Sequence, residues 1–272
     1  MNIEIDSDAL VSRWRLSQEI ALEAGQITLK HFQRKDLAVD RKADNSPVTI
    51  ADRNAEQHLR RRIGEAFPND AVLGEEFGET AGDSTWRWIL DPIDGTKSFI
   101  CGVPLYGTLI GIEHQQQSVA GVIHIPALAE TVHAARGQGA WYIKGEADAI
   151  AARVSSRQRL DECVFLTSQV DRFAARDAAS AYERLESAAF ITRTWGDCYG
   201  YLLIATGRAE VMIDADMSLW DIAALMPIIQ EAGGRLTDWR GEATIYNCES
   251  VATNGAVHEQ VLEITRSFPR RQ

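Results

Sequence analysis

No run in this 272-residue chain approaches the ~20 consecutive apolar residues that a membrane helix needs; the longest, such as Val119–Ile125, are far shorter. No basic-then-apolar leader opens it, because Met1 to Asp8 is polar and acidic. A cytoplasmic protein without membrane contact is expected. Cysteine is scarce: Cys101, Cys163, Cys198 and Cys248 form no C-x-x-C pair, which excludes a zinc ribbon or thioredoxin-like motif and predicts buried free thiols. Positive charge is in deficit, with 28 Lys plus Arg against 39 Asp plus Glu and a net charge of −11. Such a surface repels nucleic-acid phosphate. A small phosphorylated ligand stays compatible, since local sites and metal ions override net charge. There is no G-x-S-x-G elbow, no G-x-x-x-x-G-K-[ST] loop, no G-x-G-x-x-G fingerprint and no H-E-x-x-H pair. Internal repeats and low-complexity tracts are also missing.

What remains is an ordinary globular composition, 45% hydrophobic and 25% charged, of a size for one large domain or two tightly joined ones. Apolar spacing predicts a long helix over Asp8–Phe32, with Asp6, Ser7 or Asp8 as caps, and a second over Val48–Phe67 entered through Thr49 and Asp52. Between them, Lys35–Pro47 reads as a loop or ragged hairpin. Strand patterns follow at Trp86–Leu90, Tyr106–Glu113, Ser118–Ile125 and Glu130–Ala135, and Tyr106–Ala135 reads as a meander of an antiparallel sheet. A Gly137-Gln-Gly139 break and the charged Lys144–Asp148 stretch predict a boundary, giving one unit over 1–272 with lobes of about 1–145 and 146–272. Beyond it, strands at Val164–Thr167, Phe190–Thr194, Glu210–Ile213, Gly234–Thr237 and Val251–Thr253 alternate with helices at Arg172–Ser187, Tyr199–Thr206, Leu219–Ala232 and His258–Arg266. An α/β or α+β layered architecture follows.

The chemistry concentrates in Asp91-Pro92-Ile93-Asp94-Gly95-Thr96. A buried-looking strand ends at Asp91, Pro92 is expected to stop the ladder, and Asp94-Gly95 makes a tight turn. Both carboxylates can converge on one point, with the Ile93 carbonyl as a further oxygen, which is the ligand type that hard divalent cations take. Gly95–Phe99 resembles a helix start, where backbone N–H groups suit an anion. Upstream, Leu73-Gly74-Glu75-Glu76 sets two acids after a short apolar strand; downstream, Trp220-Asp221-Ile222-Ala223-Ala224 sets one in the first turn of an apolar helix.

Together, Thr49–Asp52, Gly74-Glu75-Glu76, Asp91–Thr96, Trp220-Asp221 and Glu231-Ala-Gly-Gly234 resemble the lithium-sensitive, magnesium-dependent phosphatases typified by inositol monophosphatase, in order and spacing over nearly the whole chain. The resemblance implies an α+β fold, a layered α-β-α-β-α sandwich, in which the first lobe carries the metal loop and the second the substrate. It implies two or three Mg²⁺ ions, replaceable by Mn²⁺, on Glu75, Asp91, the Ile93 carbonyl, Asp94 and Asp221. Asp52 and Thr96, with Glu75, would activate the attacking water, and Lys42 lies close to a lysine position of the family's loop. The implied activity is hydrolysis of a phosphate monoester by a homodimer.

Gly95-Thr96-Lys97-Ser98-Phe99 and the run Arg193-Thr-Trp195-Gly196-Asp197-Cys198-Tyr199 look like the histidinol-phosphate phosphatase branch. The expected substrate contacts are Asp94, Gly95, Thr96, Arg193, Asp197, Asp214 and Asp221, with Asp216 nearby. Histidinol phosphate carries an ammonium and an imidazole that can be cationic, and Asp197 and Asp214 suit those better than a neutral polyol. Arg193 would face the substrate phosphate or pair with one of these acids. The alternatives are a broad-specificity inositol monophosphatase and, more remotely, a non-catalytic metal-binding regulator, which the intact acid set disfavours.

Overall fold

The computed structural model describes residues 5–42 and 46–268. Helix α1 (Ser7–Leu29) begins where the Asp6 carboxylate accepts the N–H groups of Asp8 and Ala9. It ends three residues earlier than its apolar pattern suggested. The expected ragged hairpin consists of β1 (Val39–Arg41) and β2 (Pro47–Thr49), paired antiparallel; residues 43–45 of that stretch and residues 1–4 lie outside the described residues. Helix α2 (Ile50–Ala66) opens with a reciprocal cap in which Thr49 and Asp52 each satisfy the other's backbone.

A large sheet follows: β3 (Ala71–Gly74), β4 (Gly78–Thr80) and β5 (Trp86–Asp94), then, after the short α3 (Thr96–Ile100), β6 (Gly107–His114), β7 (Gln117–Ile125), β8 (Glu130–Ala135), β9 (Gly139–Lys144) and β10 (Ile150–Ala151). The eight strands lie in the order β10-β9-β8-β7-β6-β5-β3-β4, with only β3 and β5 parallel. Two expectations are corrected here. Pro92 does not stop the ladder: β5 runs on to Asp94, and a register shift between Asp91 and Asp94 accommodates the residue without an N–H. The Gly137–Gly139 break is a hairpin inside this sheet, its Gly137 and Gly139 amides capped by the Glu231 carboxylate at 2.8 and 2.9 Å.

The second sheet comprises β11 (Val164–Leu166), then, after α4 (Asp171–Ala175) and α5 (Ala179–Ala188), β12 (Ile191–Arg193), then α6 (Cys198–Ala205), β13 (Val211–Asp214), α7 (Leu219–Ile222), α8 (Leu225–Glu231), β14 (Arg235–Thr237), β15 (Ser250–Thr253) and α9 (His258–Thr265). Its order is β12-β11-β13-β15-β14. Each of two expected helices is split. Asp177, at φ 58°, separates α4 from α5. The split between α7 and α8 precedes Pro227 of α8, which lacks the N–H that would reach the Ala223 carbonyl; Ser118 Oγ donates to that oxygen instead at 2.6 Å. Gly121 makes this approach feasible, because a Cβ there would lie 2.1 Å from the Ala224 oxygen.

The layers run α1/α2, large sheet, α6/α7/α8, small sheet, α4/α5/α9, an α+β sandwich of the α-β-α-β-α kind. Both faces of each sheet are covered, so alternate residues of one strand enter different cores. On β5, Trp88 and Leu90 face α1 and α2 while Ile89 faces the middle layer; on β13, Val211 and Ile213 face outward and Met212 faces the middle layer. This alternation positions the site. Ile89, Leu166 and Met212 all point into the middle layer, and two residues further along each chain segment stand Asp91, Ser168 and Asp214.

The four cysteines are free. Cys163 and Cys198 are buried as expected, whereas Cys101 and Cys248 are exposed because both sit in turns outside the layers.

Candidate active site

A cleft of about 520 Å³ opens where the strand ends of the two sheets face each other. At its floor, carboxylate oxygens of Asp91, Asp94 and Asp221 lie within 4.8 Å of one another. Each is aimed by its own local structure. Asp91 Oδ1 accepts the Ile93 N–H at 3.0 Å across the bulge of β5. Asp94 accepts the backbone N–H of Cys198, the first residue of α6 in the other half of the molecule. Asp221 Oδ2 accepts the Ser218 N–H at 2.7 Å, so the acid that caps α7 also joins the cluster.

Three carboxylates this close cannot all ionise cheaply. Burial, then the charges of Glu75, Asp94 and Asp221, push the Asp91 carboxyl well above its ordinary range. Burial, Asp197 and Asp221 do the same to Asp94, and burial with Glu75 raises Asp221 to about 7. The donor set is oxygen only and acidic, which fits a hard divalent cation and not a thiolate- or imidazole-preferring one.

Glu75 lines the same cleft, but its Oε1 is held by Lys42 Nζ at 2.7 Å, and the same ammonium reaches Glu76 Oε1 at 2.6 Å. Lys42 is therefore half-buried between two acids. Burial disfavours its charge, and Glu75 and Glu76 more than reverse that, so its pKa rises. Asp52 stands behind the cleft at the start of α2. Thr49 Oγ1 and N donate to its Oδ2 at 2.6 and 2.8 Å, while Oδ1 is buried without a hydrogen-bond partner. Burial raises its pKa to about 6. Thr96 lines the cleft, its hydroxyl donating to the Ile93 carbonyl at 3.1 Å; the hydroxyl bonded to Asp52 is that of Thr49.

On the other wall, Asp197 reaches back toward the metal loop. Gly95, at φ 84°, passes so close that a Cβ there would lie 2.8 Å from Asp197 Oδ2. Burial and Asp214 raise the Asp197 pKa to about 6, against the opposing charge of Lys97 and a hydrogen bond from Ser98. Asp214 also lines the cleft, and Asp216 at the rim pairs with Arg172 at 2.9 Å. Arg193 departs from expectation. It belongs to the edge strand β12, is exposed, donates to the neighbouring Thr192 carbonyl at 2.7 Å and does not line the cleft. Among the described residues it has no ion pair with Asp197, Asp214 or Asp216, because an edge strand offers it solvent instead.

Two supporting residues went unnoticed in the sequence. Glu56, fully buried one turn after Asp52, accepts the N–H groups of Glu76 and Phe77 at 2.7 and 3.2 Å and so fixes the turn that carries Glu75. Its i,i+4 spacings to Asp52 and Arg60 were a usable signal. Ser168 bridges Asp197 and Asp214, and no local pattern marks it.

Residues 12–269 match the inositol monophosphatase family. The chain is 43% identical to a protein named histidinol-phosphatase from Chlorobaculum parvum, over 91% of this chain and 94% of that one. A Mycobacterium tuberculosis protein of the same name is 37% identical, over 91% and 95%. Among solved structures, the extragenic suppressor protein suhB of Bartonella henselae superposes with a TM-score of 0.86 at 28% identity, covering 94% of this chain and 98% of that one.

Proposed function

The chain belongs to the inositol monophosphatase family, and we propose that this phosphoric monoester hydrolase acts on L-histidinol phosphate, releasing L-histidinol and phosphate in histidine biosynthesis. The observation that carries the substrate is Asp197, a partly buried carboxylate on the cleft wall facing the metal loop. Seven acids and three cations line that cleft: Glu75, Asp91, Asp94, Asp197, Asp214, Asp216 and Asp221 against Lys42, Lys97 and Arg172. Glu75, Asp91, Asp94 and Asp221 would be offset by the metal and Asp216 is paired with Arg172, which leaves Asp197 to suit a cationic leaving group; the relatives from C. parvum and M. tuberculosis carry the matching name.

Asp91, Asp94 and Asp221, with Glu75 and the Ile93 carbonyl, would hold Mg²⁺, two or three ions per site, with Mn²⁺ able to substitute. When bound, the metal neutralises phosphate charge and lowers the pKa of the attacking water. Gly95 and Thr96 form the turn against which the phosphate sits. Asp52, with one oxygen unpartnered and its other held by Thr49, would accept the water's proton, and Thr96, on the cleft wall with its hydroxyl on the Ile93 carbonyl, would orient that water. Asp197 receives the substrate ammonium. The reading includes a cytoplasmic homodimer that engages neither membrane nor nucleic acid.

Chelated protein tests the metal requirement. Histidinol phosphate should release no phosphate until Mg²⁺ is restored; turnover in chelator would overturn the reading. The same protein has a pH signature. The folded pKa values of Asp52, Asp197 and Asp221, about 6, 6 and 7, lie above the ordinary 3.8. Stability is then full below pH 3.8 as far as these groups go, and is lost as pH rises through 6 to 7. Chelated protein should accordingly melt lower at pH 8 than at pH 5, and Mg²⁺ should remove most of that difference.

A further inference from the structure

We propose that Asp214 and Ser168 do not contact the substrate but form a positioning pair that aims Asp197. This rests on the reading of Asp197 as the ammonium acceptor. The Asp214 carboxylate is already filled by the protein. Its Oδ1 accepts Ser168 N at 2.9 Å and Thr167 Oγ1 at 3.4 Å; its Oδ2 accepts Ser168 Oγ at 3.0 Å and Tyr201 OH at 2.8 Å. A carboxylate has about four acceptor positions, so none is left for a ligand.

The Ser168 hydroxyl has one proton. Giving it to Asp214 turns a lone pair toward the Asp197 N–H, which donates to Ser168 Oγ at 2.9 Å. That bond holds a costly backbone. Asp197 sits at φ 48°, ψ −153°, a region that side-chain-bearing residues rarely adopt and that persists only where neighbours enforce it. The preceding Gly196 packs directly on Ser168, where a Cβ would come within 2.2 Å of the Ser168 Cα. Asp214 therefore orients Ser168, Ser168 pins the Asp197 backbone, and the Asp197 carboxylate is left beside Gly95 at the cleft.

The test is a cycle of Ser168→Ala, Asp214→Asn and their combination, with Asp197→Asn alongside, assayed with Mg²⁺ on histidinol phosphate and on inositol 1-phosphate, whose leaving group is neutral. Each single variant should lower kcat/KM for histidinol phosphate about tenfold, through KM and not kcat. Inositol 1-phosphate should change less than about threefold, and the double variant should be no worse than either single one, as expected for residues acting as one unit. Additive losses, or a loss in Asp214→Asn with Ser168→Ala unaffected, would assign Asp214 to direct substrate contact and overturn the pair. Equal losses on both esters would make the network merely structural and overturn it as well. Should Asp214→Asn fail to fold, Ser168→Ala alone decides by its KM and its substrate ratio. If Asp197→Asn keeps the wild-type substrate ratio, the failure belongs to the ammonium reading itself; if it loses that ratio while Ser168→Ala does not, only the positioning pair fails.

Discussion

Asp94→Asn should reduce turnover by at least about a thousandfold, some 4 kcal/mol of transition-state stabilisation, while the protein folds normally. The substitution keeps volume and keeps an oxygen for the Cys198 N–H that Asp94 accepts. What it removes is one negative charge from a cluster whose three carboxylates approach within 4.8 Å. Without metal that charge is a burden, since burial and the neighbouring Asp197 and Asp221 hold the Asp94 carboxyl well above its ordinary range. Chelated Asp94→Asn should therefore melt no lower than chelated wild type. Adding Mg²⁺ should raise the melting temperature of the wild type and leave the variant nearly unmoved. Full activity of the variant at saturating Mg²⁺ would remove Asp94 from the metal set.

Asp197→Asn carries the second large effect. A hydrogen bond to a charged group contributes about 1.5–3 kcal/mol, so losing the carboxylate opposite an ammonium should lower kcat/KM for histidinol phosphate by about tenfold to a hundredfold. Inositol 1-phosphate has no cationic group for Asp197 to meet and should fall far less. Asparagine is preferable to alanine here because it retains a polar side chain of equal size at a residue held at φ 48°. Parallel losses on both esters would show that Asp197 serves the architecture of the metal loop, against which it packs at Gly95.

Much of this molecule is written locally. The apolar runs of β5, β6, β7 and β8 and the caps of α1 and α2 follow from patterns a few residues long, and Asp91, Asp94 and Asp221 stood out by the turns and helix start around them. Tertiary demands account for what was misread. The bulge that carries β5 past Pro92 needs β6 as its partner. The interruption between α7 and α8 becomes tolerable only because Ser118, 105 residues away, satisfies the Ala223 carbonyl. Arg193 looked like a substrate ligand by its nearness to Asp197 in sequence, yet an edge strand turns it to solvent. Ser168 was invisible for the converse reason: its partner Asp214 lies 46 positions on and meets it only because β11 and β13 run parallel, side by side.

We infer that a metal-dependent acidic cleft selects a cationic phosphate ester. That selectivity is tested most directly by kcat/KM, with Mg²⁺, for histidinol phosphate, inositol 1-phosphate and adenosine 3′,5′-bisphosphate on the wild-type protein. A preference for histidinol phosphate of about a hundredfold, some 2.7 kcal/mol, is the predicted result. A preference for inositol 1-phosphate would leave a phosphatase of the same family and contradict the role given to Asp197.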